Sequence, residues 1–465
     1  MSTEYRTPFD RENGINILIE TLGGSAVTHI FVHSVASLGN LEELAAALPG
    51  FEKYPERSLV LARPEDLVCV LDAVDGRHLQ FLTGLGVGPN RENIVAVSKE
   101  RNLNFAVSLS DLLMYDREAL STIKRLLKAE KKIVLNPYIA SPREFALATV
   151  LGTVLDGQVS VLGGNADIVD YVNQKHHVRE KALEFGVPVP EGEVVELSFR
   201  QAGSLLDFTP IQTAIRLHSR KTGRAIVRGS RGLSGSSTLV VKGEPAGIQE
   251  ALRKIASRTG NNIYLVETMV DITVSPNVLM YIEPDKIVCV GVTDQLLTAD
   301  LAHQGNLYPS SAKTVKDMVA SARKISEWLQ AKGYCGLVGF DFGEYVNSGT
   351  GRCEHFLAEI NPRMNAAAYP RALMEHLNRE QERKGGPFIE AFLSANITTK
   401  ARSFAELEEL CGRLFFTAET GEGGVPYNVG CLASGKFNAA ILGRSRDRVV
   451  KMYEDFKAMV KGLKS

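Results

Sequence analysis

Short apolar runs alternate with amphipathic segments along residues 1 to about 170. Six of the runs are candidate strands: THIFVHSVA, RSLVLAR, LQFLTGLG, NIVAVS, KKIVLNPYIA and VSVLGG. Residues 116–131 predict a helix, because Asp116 can cap its first turn and Leu120, Ile123 and Leu126 share one face. Strands that alternate with helices predict an α/β fold with a mainly parallel sheet.

Further along, two alternating apolar runs at 336–345 and 356–365 flank a polar turn, which predicts an antiparallel hairpin. Glu359 and Asn361 lie two apart and share a face, and pairing brings Asp341 towards them. Two carboxylates and an amide suit Mg²⁺ when the phosphates of a nucleotide complete its coordination. An ordinary hairpin with a charged solvent face is the alternative. Arg363 on the same face favours a site that also binds a phosphoryl or carboxylate group.

Residues 223–241 predict a strand, a loop of small residues and a second strand. Glycine lacks the Cβ that would block close approach, and backbone N–H groups with serine hydroxyls can point at phosphate oxygens. A plain hairpin is the alternative here too. Upstream, residues 172–185 predict a helix that Gly186 ends. Downstream, residues 312–332 predict a helix whose inner face includes Trp328 as a packing residue.

Taken in order, these segments resemble the ATP-grasp superfamily over residues of about 170 to 370. The resemblance implies a metal site for Mg²⁺, with Mn²⁺ as a substitute, at Asp341, Glu359 and Asn361. It implies ATP contacts at Lys175, Arg228, Gly232, Ser234, Gly235, Ser236, Glu267, Met269, Val270 and Asp271. Within this set, Glu267 to Val270 would form the adenine hinge, and Asp271 would take the ribose hydroxyls. Arg363 and Arg228 would be the catalytic cations, with Arg228 standing where most members have lysine.

The same resemblance implies three domains: an N-terminal parallel-sheet pre-ATP-grasp domain at 1–170, a two-subdomain ATP-grasp domain at 171–385, and a C-terminal α+β domain at 386–465. In the last we expect strands near 413–418, 426–432 and 437–442, followed by a helix. The tail looks like the peptide-ligase branch related to the pheganomycin ligase, although NPRMNAAAYP departs from that branch. Contacts with the acceptor substrate are expected from Gln295, His303, Tyr308 and Asn365.

Composition narrows the class of protein. The chain has 465 residues, 44% of them apolar and 23% charged, which supports sizeable cores. A net charge of −1 gives no basic excess for nucleic acid. Six cysteines without a C-x-x-C pair indicate neither a disulfide framework nor a zinc site. We expect a cytoplasmic protein that does not bind membranes, since no apolar run approaches a bilayer span. A homodimer is compatible with the sequence.

The chemistry that the resemblance implies is activation of a carboxylate by ATP to an acylphosphate, which an amine then attacks. The substrates would be a small-molecule carboxylate and an amine, such as an amino acid or a peptide, in small-molecule or peptide natural-product biosynthesis. One alternative is a carboxylase that depends on bicarbonate. The other is a module that binds ATP without catalysis. The sequence names neither substrate.

Overall fold

Three β-sheets with helices packed against them form the fold. The computed structural model describes residues 27–39, 41–98, 108–127, 132–198, 207–231, 238–257, 262–299 and 301–460. Within these ranges, no helix is long and apolar enough to span a bilayer.

The N-terminal sheet is parallel throughout, as the alternating pattern predicts, with the strand order β3-β2-β1-β4-β5. Its strands are β1 (Val27–Val32), β2 (Leu67–Leu71), β3 (Ile94–Val97), β4 (Lys132–Pro137) and β5 (Val159–Val161). The helices in this region are α1 (Leu41–Ala47), α2 (Gly76–Gly84), α3 (Leu109–Tyr115), α4 (Arg117–Leu126) and α5 (Pro142–Leu155). Every residue of β2 is buried, as is typical of a parallel strand that is covered on both faces. Asp116 caps α4, because its side chain accepts hydrogen bonds from the N–H groups of Glu118 and Ala119.

Two predicted strands of this region are wrong. Residues 57–63 belong mainly to a 3-10 helix at Phe51–Val60, and residues 79–86 lie mostly in α2. The side chain of Asp75 accepts hydrogen bonds from Arg77 and His78 and so fixes the start of α2. Short apolar runs do not distinguish a buried helix from a buried strand, and both runs face the core.

The middle sheet is antiparallel, with the strand order β6-β9-β7-β8. Its strands are β6 (Gly192–Glu196), β7 (Arg224–Gly229), β8 (Thr238–Lys242) and β9 (Ile263–Thr268). Before it come α6 (Ala166–Val172) and α7 (Lys175–Glu184), and α8 (Thr209–His218) and α9 (Pro245–Ala256) pack on its apolar face. The strand pair predicted around the glycine loop is β7 and β8. The loop residues 232–237 lie outside the described ranges.

The third sheet has eight strands in the order β14-β13-β10-β11-β12-β15-β17-β16, and every pair is antiparallel. Its strands are β10 (Pro276–Ile282), β11 (Ile287–Leu297), β12 (His303–Tyr308), β13 (Gly336–Val346), β14 (Cys353–Asn361), β15 (Ala391–Thr398), β16 (Gly423–Tyr427) and β17 (Lys436–Gly443). Its helices are α10 (Val315–Ala331), α11 (Ala368–Lys384), α12 (Phe404–Cys411) and α13 (Arg446–Val460). The predicted hairpin is therefore β13 and β14, and the strands after residue 385 extend the same sheet.

Helices α10 and α11 pack against this large sheet. The apolar stripe of α10 packs against it as predicted, and Trp328 is partly buried beside Tyr171 and Phe185. Helix α11 is almost entirely buried in a core that also includes residues of the N-terminal sheet, the large sheet and the C-terminal strands. This helix therefore joins the N-terminal sheet to the large sheet.

The C-terminal strand predictions are partly wrong. Residues 413–418 contain a short 3-10 turn and isolated bridges, and residues 426–432 run from the end of β16 into another 3-10 helix. The strand predicted at 437–442 is β17, and the terminal helix is α13. The two segments that were wrongly predicted as strands both lie next to glycines, which allow turns within an otherwise apolar sequence.

Gly305 allows β12 and β15 to approach each other closely. A Cβ built at Gly305 would lie 1.9 Å from the carbonyl oxygen of Ser394, a backbone atom that cannot rotate away. We expect Gly305→Ala to lower the free energy of unfolding by at least about 2 kcal/mol, since overpacking commonly costs about 1–3 kcal/mol. Denaturant titration measures the loss.

The matched control for this substitution is Gly84→Ala. Gly84 is exposed at the end of α2, and a Cβ there would have no neighbour within 4 Å. Alanine has a higher helix propensity than glycine, so the denaturant concentration at the midpoint of unfolding should stay the same or rise. Equal midpoints for Gly305→Ala and the wild type would contradict this account of the strand contact.

Candidate functional site

The polar residues of the β13–β14 hairpin lie together as the strand pattern predicts. Asp341 is the register partner of Glu359, and a bulge follows between Asp341 and Phe342. Asn361 lies two residues beyond Glu359, and its Nδ2 donates to Asp341 Oδ2 at 2.8 Å. One face of the hairpin therefore carries two carboxylates and an amide.

Asp341 is buried but well supplied with hydrogen bonds. Its Oδ1 accepts from Nδ2 of Asn277 at 2.5 Å and from Nε2 of Gln295 at 2.8 Å. Burial, and then repulsion by Glu359, raise the pKa of Asp341 above its ordinary value. A cation between the two carboxylates would relieve that repulsion.

Glu359 lies beside two cations. Its Oε2 is 3.2 Å from Nζ of Lys175, the first residue of α7. Burial alone would raise the pKa of Glu359, but Lys175 and then Arg363 lower it below the ordinary value, so this carboxylate stays ionised. Arg363 donates from Nη1 to Oδ1 of Asn173 at 2.8 Å, whereas its buried Nε has no hydrogen-bond partner within the described ranges.

The carboxylates fit a Mg²⁺–nucleotide complex better than a metal alone. Within the described ranges, no group of three or more His, Cys, Asp or Glu side chains is placed to hold a metal ion. Asp341 and Glu359 supply two carboxylates, and Asn361 adds an amide. Magnesium is commonly held by one or two carboxylates together with the phosphates of its substrate, so this donor set is sufficient.

A second charged cluster connects β7, β9 and α7. Arg228 donates from Nε and Nη2 to Oε2 of Glu267 at 2.9 and 2.6 Å, and from Nη1 to the carbonyl of Ala358. Arg179 donates from Nη1 to the other carboxylate oxygen of Glu267 at 3.1 Å. The planar fork of Arg228 is thus fixed by two partners, which a lysine could not reproduce.

These clusters line one cleft with a volume of about 240 Å³. Its wall includes Met269 and Val270 of the predicted hinge, and Thr238 at the start of β8. The predicted ATP and metal residues that line the cleft are Lys175, Arg228, Glu267, Met269, Val270, Asp341, Glu359 and Asn361, together with Arg363. Gly232, Ser234, Gly235 and Ser236 lie outside the described residues.

Asp271 is the predicted ATP residue that lies away from this cleft. Its side chain is 79% exposed, pairs with Arg224 at 2.8 Å and is not part of the cleft wall.

Three of the four predicted acceptor residues line the cleft: Gln295, His303 and Asn365. The fourth, Tyr308, does not line the cleft. Its ring is buried, stacks on Phe392 and lies near Arg371 of α11. Helix α11 covers this end of β12 and separates the ring of Tyr308 from the cleft.

Asn365 and Gln295 also have structural roles. Oδ1 of Asn365 accepts hydrogen bonds from the N–H groups of Ala367 and Ala368 at the start of α11. Its Nδ2 donates to Oδ1 of Asn277. Gln295 accepts from Ser275 while it donates to Asp341. Both residues therefore help to hold the polar face of β13 and β14 in place.

Sequence reasoning missed Arg179, Asn277 and Asn173. Asn277 is an isolated amide in the otherwise apolar strand β10, and such a residue is a usable signal for a buried polar contact. Arg179 and Asn173 lie in or before a helix with ordinary surface-like composition, and only the fold brings them to Glu267 and Arg363.

Comparison with known proteins gives three findings. The pre-ATP-grasp domain family matches residues 55–153, which cover β2 to most of α5. Among curated proteins, no relative matches the chain. Solved structures with similar folds include two enzymes in complex with nucleotides.

The first is N5-carboxyaminoimidazole synthetase from Staphylococcus aureus with ADP. It is 12% identical, the match covers 94% of this chain and 98% of that chain, and the TM-score is 0.52. The second is biotin carboxylase from Campylobacter jejuni in a β,γ-ATP complex. It is 11% identical, with 92% and 89% of the two chains covered and a TM-score of 0.51. At these identities the likeness concerns the fold.

Proposed function

We propose that this chain, which has the fold of the ATP-grasp superfamily behind a pre-ATP-grasp domain, is an ATP-dependent ligase that joins a carboxylate to an amine. The observation that carries the proposal is the polar face of β13 and β14, where Asp341 and Glu359 pair beside Lys175 and Arg363 in one cleft. Acidic ligands and cations placed together suit phosphoryl transfer, which depends mainly on positioning and charge stabilisation.

Each group in the cleft has a proposed task. Met269 and Val270 bind the adenine edge. Lys175 and Arg228 bind phosphate oxygens, and we extend this role to Gly232, Ser234, Gly235 and Ser236. Asp341, Glu359 and Asn361 would hold Mg²⁺, which neutralises phosphate charge when bound. Arg363 orients the carboxylate and the phosphoryl group that it receives.

The reaction has two steps. A carboxylate oxygen of the substrate attacks the γ-phosphorus of ATP, the bond to the β-phosphate oxygen breaks, and ADP leaves. The amine then attacks the acyl carbon, inorganic phosphate departs, and the amine loses a proton to phosphate or solvent. Arg363 would stabilise the oxyanion of the tetrahedral intermediate by donated hydrogen bonds.

The proposal extends to amide or peptide formation in small-molecule biosynthesis. Its support is the sequence of the C-terminal tail and its likeness to the peptide-ligase branch. The folds of carboxylating enzymes are also similar, so bicarbonate is the competing acceptor of the phosphoryl group.

Product analysis with ADP release tests the proposal. Purified protein is incubated with Mg-ATP and pools of amino acids, peptides and other carboxylates, and products are identified by mass spectrometry. Hydroxylamine in place of the amine should yield a hydroxamate if an acylphosphate forms. ADP release that requires bicarbonate would replace this proposal with a carboxylase. If the protein binds ATP but releases ADP in none of these conditions, it is a non-catalytic module.

A further inference from the structure

A second cavity of about 140 Å³ adjoins the cleft; we call it the side cavity. Its walls come from strands β12, β15, β16 and β17, from the segment that leads into α11, and from five N-terminal residues: Val35, Leu38, Leu48, Tyr54 and Arg57. The two cavities share Tyr138, His303, Asn306, Arg363 and Ala366 in their walls. A group bound in the side cavity can therefore belong to a molecule that reacts in the cleft.

The wall of the side cavity is cationic. It includes two arginines, Arg57 and Arg363, and it contains no aspartate or glutamate among its described lining residues. Its other polar groups are neutral amides and hydroxyls, apart from His303, whose pKa is lowered by burial. Such a wall favours a negatively charged occupant.

Arg57 lacks a counterion among the residues that the structure describes. Its guanidinium carbon lies 3.6 Å from the ring centroid of Tyr54 and 5.7 Å from that of Tyr369. Its buried Nε has no hydrogen-bond partner in the part of the chain that the structure describes. The adjacent carboxylate of Glu56 accepts instead from the N–H of Gly430 at 2.8 Å. Rings stabilise a cation only modestly, so the charge is left largely uncompensated.

Arg57 is partly buried, and a partly buried guanidinium without a carboxylate among the described residues costs free energy unless an anion joins it. Arginine presents a planar fork of donors that matches carboxylates and phosphates. Asn306, on the wall that the two cavities share, adds a buried Nδ2 that has no partner among the described residues. A volume of about 140 Å³ exceeds the ~10–15 Å³ that one water requires, so a small organic group fits.

We propose that the side cavity binds an anionic group, a carboxylate or a phosphate monoester, that one substrate carries in addition to its reacting group, with Arg57 as its main ligand. This inference rests on the proposed function, because it identifies the substrate class of the same site. The anion stays unreacted at Arg57, while the reacting group of the molecule reaches past Arg363 into the cleft.

Thermal melting of the full chain, saturated with Mg-ADP, tests this inference without any turnover. Succinate and O-phosphoethanolamine are the probes, and they separate a carboxylate from a phosphate. The variants are Arg57→Met, Arg57→Lys and the control Arg91→Met, which makes the same change at an exposed position outside both cavities. Dose-dependent shifts in Tm give an apparent affinity for each probe.

We expect at least one probe to raise the Tm of the wild type and of Arg91→Met. In Arg57→Met its affinity should fall at least about tenfold, because a charged hydrogen-bond partner is lost. Arg57→Lys should bind with an intermediate affinity, and it keeps the test valid if Arg57→Met fails to fold. Without a probe, Arg57→Met should melt no lower than the wild type, since a partly buried charge without a counterion among the described residues is removed.

Two results would overturn the inference: neither probe raises the Tm of the wild type, or the Arg57 variants bind both probes as the wild type does. These outcomes are independent of the proposed function, since ligase turnover is measured by ADP release and products. Turnover with simple monocarboxylates and amines, together with no anion binding, would reject the side-cavity inference and retain the ligase.

Discussion

Replacing Glu359 by glutamine should reduce ATP-dependent turnover by at least about a hundredfold while the protein remains folded. The change preserves the size of the side chain but removes one of the two carboxylates that face each other across β13 and β14. Loss of groups that stabilise charge in a transition state commonly costs 10²–10³-fold in rate, so the estimate is at the low end. Steady-state ADP release gives the rate, and thermal melting reports folding.

The matched control is Glu354→Gln on the same strand. Glu354 accepts hydrogen bonds from Tyr345 and Asn347 at the far end of the hairpin and does not line the cleft. The turnover of Glu354→Gln should match that of the wild type. Wild-type turnover in Glu359→Gln would refute the metal role of this residue, whereas equal losses in both variants would indicate a general disturbance of the hairpin.

Replacing Glu267 by alanine should destabilise the nucleotide-free protein by about 3 kcal/mol. The carboxylate is almost fully buried and compensates both Arg228 and Arg179. Removing one partner of a buried ion pair typically costs about 3–5 kcal/mol because a charge is left without compensation. We expect the lower end of this range of destabilisation, because Arg228 borders the cleft, where water can reach it.

Replacing Arg228 by methionine should destabilise the protein less, because Glu267 then keeps Arg179 as a partner. Denaturant titration without nucleotide measures both variants. Glu191→Ala is the control, since this exposed carboxylate pairs with the exposed Lys221 and its loss should leave the midpoint unchanged. A smaller loss for Glu267→Ala than for Arg228→Met would show that the cluster is not organised around Glu267.

The spacing of apolar residues correctly predicted those helices and strands whose pattern is long or strictly alternating. Helix α10 and the β13–β14 hairpin lie where the sequence indicates, because a 17-residue stripe and two alternating strands leave few alternatives. Runs of five to eight apolar residues were less informative. The run at 79–86 is helical because the Asp75 cap precedes it, and the strand at 67–71 was missed although it is continuously apolar.

The site was predictable where neighbours in sequence are neighbours in space. Asp341, Glu359 and Asn361 belong to one hairpin, so their pairing followed from strand geometry. Arg57 could not be found in this way, since strands β12, β15 and β17 bring the other walls of the side cavity from residues 303 to 438. The position of Tyr308 outside the cleft could not be predicted, because the sequence does not show which part of β12 is covered by α11.

The pairing of β12 with β15 also affects how the chain folds while it is being synthesised. Strand β12 ends at Tyr308, but its partner begins only at Ala391. At translation rates of about 5–20 residues per second, β12 is exposed as a sheet edge for several seconds before residue 398 is made. Exposed edges recruit other strands, so nascent chains in this interval would depend on protection from aggregation. The last eighty residues therefore act as a cover for that edge, and a chain that ends near residue 385 should be insoluble.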